Sequence, residues 1–224
     1  MARRTTAKRK EGQALVKTLM RRYGRTYAEQ AGVRLKGNTP TPLFELLNLS
    51  LLLSARIAAD NAVEAARALV KANLTTPSKM AAATWQQRVD VITSHGYKRY
   101  DESTSRMLGD TANRLLDAYG GDLRRLRDAA GHDVKHEHRL LQQLNGIGNV
   151  GADIFLREVQ AVWPEVYPYA DQKVLNAAGR LGLPRHAERL ASLVPKPKFP
   201  RLCAALVRAS LQRDYDPLKA AARG

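Results

Sequence analysis

One cysteine, Cys203, stands in the 224 residues. A single thiol excludes an intramolecular disulfide and any zinc or iron–sulfur site built from cysteines. Long apolar runs are missing too. A helix needs about eighteen consecutive apolar residues to span a bilayer. The densest patch, Leu46 to Ile57, is broken by Asn48, Ser50, Ser54 and Arg56. The basic start of the chain has no hydrophobic segment after it, so no secretory signal is read there. Period-two alternation is absent as well, which argues against strands. Acid is scarce: 21 Asp and Glu stand against 37 Lys and Arg, for a net charge of +16 and a pI near 10.3.

What remains is a basic, helix-patterned chain. Arg3, Arg4, Lys8, Arg9 and Lys10 supply five of the charges, and taking those five from +16 still leaves +11. The folded body is therefore basic, which raises the local concentration of polyanions. Nucleic acid is the partner this favours over an anionic membrane surface. Residues 1–10 are expected to be a flexible tail. A helix is expected from Glu11 to Ala31, where Leu15, Leu19, Tyr23 and Tyr27 step by four. Pro40 and Pro42 suit the entry to a helix over Leu43 to Ala58, apolar nearly all round and so buried. Asp60 suits the cap of the next helix. Helices then follow to Leu144, over Val150 to Val162, from Asp171 to Gly182, and from Arg201 to Arg213.

The stretch Leu144 to Ala152 reads LNGIGNVGA between two of these helices. Gly146 and Gly148 allow a tight turn. Free N–H groups at the start of the following helix make a seat for an anion, and the helix dipole adds to it. Taken alone, such a turn is equally an ordinary connection. Asp171, about twenty residues on, follows a Pro-rich connector and reads by itself as a helix N-cap.

Four segments in order carry a resemblance: PLFELLNLSLLLSARIAADNAVEAARAL, GYKRYDESTSRML, LLQQLNGIGNVGADI and YADQKVLNAAGRLGL. From roughly Pro42 to Leu183 the chain resembles the helix-hairpin-helix (HhH-GPD) DNA glycosylases, in the branch of endonuclease III and the mismatch adenine glycosylase. The resemblance implies an all-α protein of two helical lobes around a DNA-binding cleft, with the hairpin followed by a catalytic aspartate. It places 11–39 and 154–224 in one discontinuous lobe and 40–153 in the other. Gly146, Ile147, Gly148, Asn149, Val150 and Gly151 fall on the phosphate-gripping hairpin. Asp171 falls on the catalytic acid, which assists cleavage of the N-glycosidic bond as positive charge builds on the sugar.

Three departures shape the expectation. Bifunctional relatives carry a nucleophilic lysine where this chain has Val150, and valine cannot form an imine. Base removal without strand cleavage is therefore expected, with Lys173 either a substitute nucleophile or a solvated or phosphate-contacting lysine. The four cysteines of an iron–sulfur cluster are missing, so apolar packing through Leu202, Leu206 and Leu211 should hold the C-terminal lobe. Ser54-Ala55-Arg56 replaces an SAQ-like turn, so Arg56 and Tyr97 are candidates to fill the gap left by a flipped base. Their alternatives are a surface salt bridge and ordinary packing.

The expected protein is a monofunctional glycosylase excising a damaged or modified base, an alkylated purine first. A modified or mispaired pyrimidine, including modified cytosine in foreign DNA, is the next choice, and a non-catalytic DNA-structure-binding protein is the other class. Double-stranded DNA is the expected partner of a monomer that is cytoplasmic and nucleoid-associated. No cofactor is expected beyond a monovalent cation at the hairpin. His132, His136 and His138 lie close together, but two of them face apart on a helix, so zinc is not expected. Arg124, Arg125, Arg127, Lys135 and Arg139 are read as backbone-contacting or solvated, and Trp163, Tyr167 and Tyr169 as pocket-lining or core.

Overall fold

The computed structural model describes residues 2–94 and 96–222, without side chains for 2–9; among the described residues every regular element is helical and no strand occurs. In chain order the first helices are α1 (Ala2–Tyr23), α2 (Tyr27–Ala31), α3 (Pro40–Ser54), α4 (Ala59–Lys71) and α5 (Pro77–Ala82). Next come α6 (Trp85–Thr93), α7 (Asp101–Tyr119), α8 (Leu123–Ala129), α9 (Val134–Leu141) and α10 (Asn149–Val159). The last are α11 (Gln172–Arg180), α12 (Ala187–Ala191), α13 (Phe199–Leu211) and α14 (Tyr215–Ala221). No helix is long and apolar enough to cross a membrane, and no cluster of three or more His, Cys, Asp or Glu could hold a metal, both among the described residues.

The chain divides into two units, Tyr27–Tyr167 and the paired ends Met1–Thr26 with Pro168–Gly224. Both boundaries lie away from the expected 39/40 and 153/154, and the first has a physical reason. The Glu158 carboxylate, buried in α10, accepts the N–H groups of Tyr27 (3.2 Å) and Ala28 (3.1 Å) at the start of α2. It satisfies orphan donors of α2 and ties residues 27–31 to the inner unit. The expected single helix Glu11–Ala31 is accordingly interrupted at 24–26, and α1 begins at Ala2, within the stretch expected as a tail.

In the inner unit α3 is the centre, packed by α10, α4, α7, α8 and α2. Leu43, Phe44, Leu46, Leu47, Leu49 and Leu52 are wholly buried. Each such side chain stabilises by about 1.5–3 kcal/mol relative to exposure. Pro40 and Pro42 occupy its first turn as expected, while its end falls at Ser54 rather than Ala58. Asp60 is not the cap of α4; Ala58 holds that position and Asp60 sits in the first turn.

Arg88 of α6 is buried and in no salt bridge among the described residues. Its guanidinium donates to the carbonyls of Ser105 (2.9 Å), Met80 (3.0 Å) and Ala83 (2.5 Å), joining α7 to the end of α5. Gly109 makes room, since a Cβ there would stand 2.7 Å from Arg88 Nη2. A second buried cluster fixes α9. Glu137 is fully buried, and neither of its carboxylate oxygens has a donor among the described residues. Burial and the neighbouring Glu165 push its carboxyl up to about 8, whereas Arg127 helps to hold Glu165 below the ordinary range. Glu137 is thereby kept protonated beside Glu165, and Arg127 grips Glu165 at 2.5 and 2.7 Å from above the Trp163 ring.

In the other unit α13 packs between α1 and α11, and α14 lies on α1. Leu202 and Leu206 are buried as expected, but Leu211 is 51% exposed at the end of α13 and takes no part. Polar bonds complete the packing. Arg208 donates to the carbonyls of Tyr23 (2.8 Å) and Arg25, and the Tyr23 hydroxyl donates to Asp214 (2.7 Å).

Two expectations follow. Replacing Arg88 with Met removes three hydrogen bonds to carbonyls and the bracing charge, so it should destabilise by about 3 kcal/mol in urea unfolding. Between the ordinary carboxylate value and about 8, the folded chain keeps a Glu137 proton that the unfolded chain has released. Stability should therefore fall as pH rises from about 5 to 8. Glu137→Gln, which keeps the donor, should flatten that decline by at least ~1 kcal/mol. Parallel profiles for the two proteins would refute the retained Glu137 proton.

Candidate nucleic-acid interface

Residues 142–148 connect α9 to α10 within the inner unit. Gly146 takes φ +79°, and a Cβ there would stand 2.8 Å from the Met107 Cβ, so both conformation and space demand glycine. Gly148 differs. Its φ of −83° suits any residue, and nothing lies within 4 Å of where its Cβ would be. The expectation that both glycines serve the turn holds for Gly146 alone; at Gly148 the missing side chain leaves open space beside the helix start.

The hydrogen bonds of α10 begin with Ala152 donating to Gly148 (3.0 Å), and Gly148 offers no side-chain cap. The N–H groups of Asn149, Val150 and Gly151 therefore have no partner among the described residues. Their dipoles align at one end of an eleven-residue helix, where an anion is favoured by about 0.3–1 kcal/mol at an exposed surface. Val150 is 56% exposed there, while Ile147 (2%) plugs the turn into the core. Asp153 braces the two arms. It sits 3.1 Å from His138 Nε2 on α9 and accepts from the Asn149 amide at 3.2 Å. The Thr111 hydroxyl anchors the turn by donating to the Asn145 carbonyl.

A cavity of about 630 Å³ adjoins this turn, lined entirely by the inner unit. Arg56 and Gly146 to Gly148 are brought together on its walls. Arg56 is exposed and in no salt bridge among the described residues, so its alternative as a surface ion pair is not realised. Tyr97 is not on that surface. It is fully buried, with its hydroxyl 3.1 Å from Thr104 Oγ1, and the burial pushes that hydroxyl's pKa up. Packing, the alternative reading, holds for Tyr97. The aromatic on the cavity wall is Tyr100, three residues later, which spacing alone did not single out.

The basic cluster before the hairpin is also sorted. Arg124 pairs with Asp122 (2.7 Å) and Arg127 with Glu165, leaving Arg125, Lys135 and Arg139 as exposed cations. His132 and His138 face Asp128 and Asp153 rather than one another. Trp163 is core, edge-on to Phe155 at 5.5 Å and donating to Asn38 (2.9 Å).

Asp171 belongs to the unit formed by the chain ends. It is 7% exposed and caps α11 by accepting from the Val174 N–H at 3.0 Å. The cap reading is thus met, and the bond fixes the carboxylate's orientation at a helix start. Lys173 is exposed in the first turn of α11, beside the likewise exposed Gln172 and Asn176. Cys203, on buried α13, donates to the Tyr169 carbonyl at 3.7 Å, two residues before Asp171.

No family model matches the chain, and no curated protein does. Solved structures do. A non-covalent endonuclease III–DNA complex matches with a TM-score of 0.53 at 18% identity, over 87% of this chain and 81% of that one. A trapped covalent endonuclease III–DNA intermediate, an estranged-adenine complex, also matches at 18% identity, over 82% of each chain, with a TM-score of 0.48. At such identity the likeness concerns architecture: the chain has the all-helical fold of endonuclease III.

Proposed function

We propose that the protein is a monofunctional DNA glycosylase, which flips a damaged or modified base out of duplex DNA and hydrolyses its N-glycosidic bond to leave an abasic site. The observation that carries this reading is the start of α10. Three unpartnered N–H groups meet a glycine with open space beside it, in a chain of net charge +16. Such a seat suits a DNA phosphate. The fold shared with endonuclease III supports the same reading.

In this reading Asp171 is the acid of the reaction. A carboxylate held by its own helix cap needs little reorganisation as positive charge develops on the sugar. It stabilises that charge or takes a proton from the attacking water. Val150 stands where a bifunctional enzyme would need an amine, so hydrolysis ends at the abasic site without an imine. Lys173 serves a phosphate rather than the sugar. An alkylated purine is the first choice of substrate, because a charged lesion weakens its own bond and modest catalysis suffices.

The decisive assay incubates the protein with duplexes each holding one altered base, read directly and after hot alkali. Cleavage that appears only after alkali is expected; direct nicking would refute the role given to Val150. Asp171→Asn should remove product by at least about a hundredfold while DNA binding survives. Unchanged turnover in that variant would remove Asp171 from the mechanism. Val150→Asp places a carboxylate in the anion seat, so affinity for any duplex should drop about tenfold or more. Its slope of log K against log salt should also shrink by about one, and an unchanged slope would place the phosphate elsewhere.

A further inference from the structure

The unit formed by the chain ends carries a charge pattern of its own, on α1. One face of that helix is buried: Leu15, Val16, Leu19 and Tyr23 are each at most 8% exposed, and α1 packs on α13 and α14. Successive residues turn by about 100°, which gathers those four positions on one side. Lys10, Lys17 and Arg21 fall on the opposite side, within about 40° of one another. All three are exposed. Gln13 and Ala14 stand between them, and Arg3 takes the next position of the same row.

None of the three cations has an ion-pair partner among the described residues, whereas the adjacent Arg22 pairs with Asp214 at 3.1 Å. Glu11 is the only acid of α1, and it lies about 100° around the helix from Lys10. Lys17 and Arg21 are four residues apart, a spacing at which like charges repel. A polyanion laid along the row turns that repulsion into attraction. An anionic bilayer suits it poorly. Helices that lie on membranes insert an apolar face beneath their charges, and the apolar face of α1 is already covered. From Lys10 to Arg21 the row is about 16 Å long. One DNA strand presents a phosphate about every 3.4 Å of duplex axis, so the row spans several.

We infer that the outward face of α1, through Lys10, Lys17 and Arg21, is a second DNA-backbone contact, carried by the unit that lacks the hairpin. The choice of DNA as the polyanion rests on the glycosylase reading; the unpaired basic row does not. Lysine and arginine on phosphates hold a duplex without distinguishing its bases. This face therefore adds to affinity for any duplex, with or without an altered base. Its contribution comes from released counterions, so it is large in low salt and fades as salt rises.

The test compares the full chain with a triple variant, Lys10→Gln with Lys17→Gln and Arg21→Gln. A control removes three exposed cations of the inner unit instead, by Arg34→Gln, Lys36→Gln and Lys71→Gln, so that net charge falls equally. Both are checked for an unchanged melting temperature. Fluorescence anisotropy then follows one unmodified duplex across a salt series. The α1 variant should bind about tenfold or more weakly at low salt, and its slope of log K against log salt should shrink by about two to three. The control should keep the slope and lose less than about threefold in affinity. An unchanged slope in the α1 variant, or an equal loss in the control, would overturn the inference. Lost binding to phosphatidylserine vesicles with duplex affinity intact would assign the row to a membrane and overturn it as well. The slope of the α1 variant judges this face alone, whereas Val150→Asp and the alkali assay judge the hairpin seat and the glycosylase reading.

Discussion

Burial of α3 is the constraint on which the inner unit depends. Five other inner-unit helices pack on it, and α10 in particular runs along it, where a Cβ on Gly151 would stand 3.8 Å from the Ser50 carbonyl. That contact sets where α10 begins, and the start of α10 sets where the hairpin's N–H groups point. Glu137 and Glu165 act from the other arm, because α9 must bury a carboxyl to reach its place. The geometry of the anion seat is thus inherited from apolar packing on one side and a buried carboxyl on the other. Neither contributor touches the surface that it shapes.

Much of this was legible in the residues. The apolar helix after Pro42, the turn at Gly146, the cap at Asp171 and the absence of strands follow from periodicity, glycine and capping chemistry. What escaped was long-range. Nothing local says that Glu158 holds the start of α2 from 130 residues away, and so the division of the chain was misplaced. Tyr97 and Tyr100 sit in one loop with similar neighbours, and which of them turns inward depends on Thr104 and the helices beneath. Arg124 and Arg127 look alike in a basic run, yet each is tied to an acid, one of them 38 residues distant.

The two units carry different halves of the chemistry proposed here. The hairpin needs only backbone donors at the start of α10, set by the inner unit. Asp171 depends on α11, which packs against α13. Its anchoring comes from leucines and from Arg208 holding two carbonyls at the end of α1. A lobe built this way is held by many small contributions and opens cooperatively with them.

Cys203 makes that opening visible. The only thiol in the chain is sealed within α13 and bonded to the carbonyl of Tyr169, next to the segment that presents Asp171. An alkylating reagent can reach it only when the packing around α13 opens. The rate of modification under native conditions is therefore a clock for opening of the unit that carries the proposed acid, recorded by mass without any engineered label.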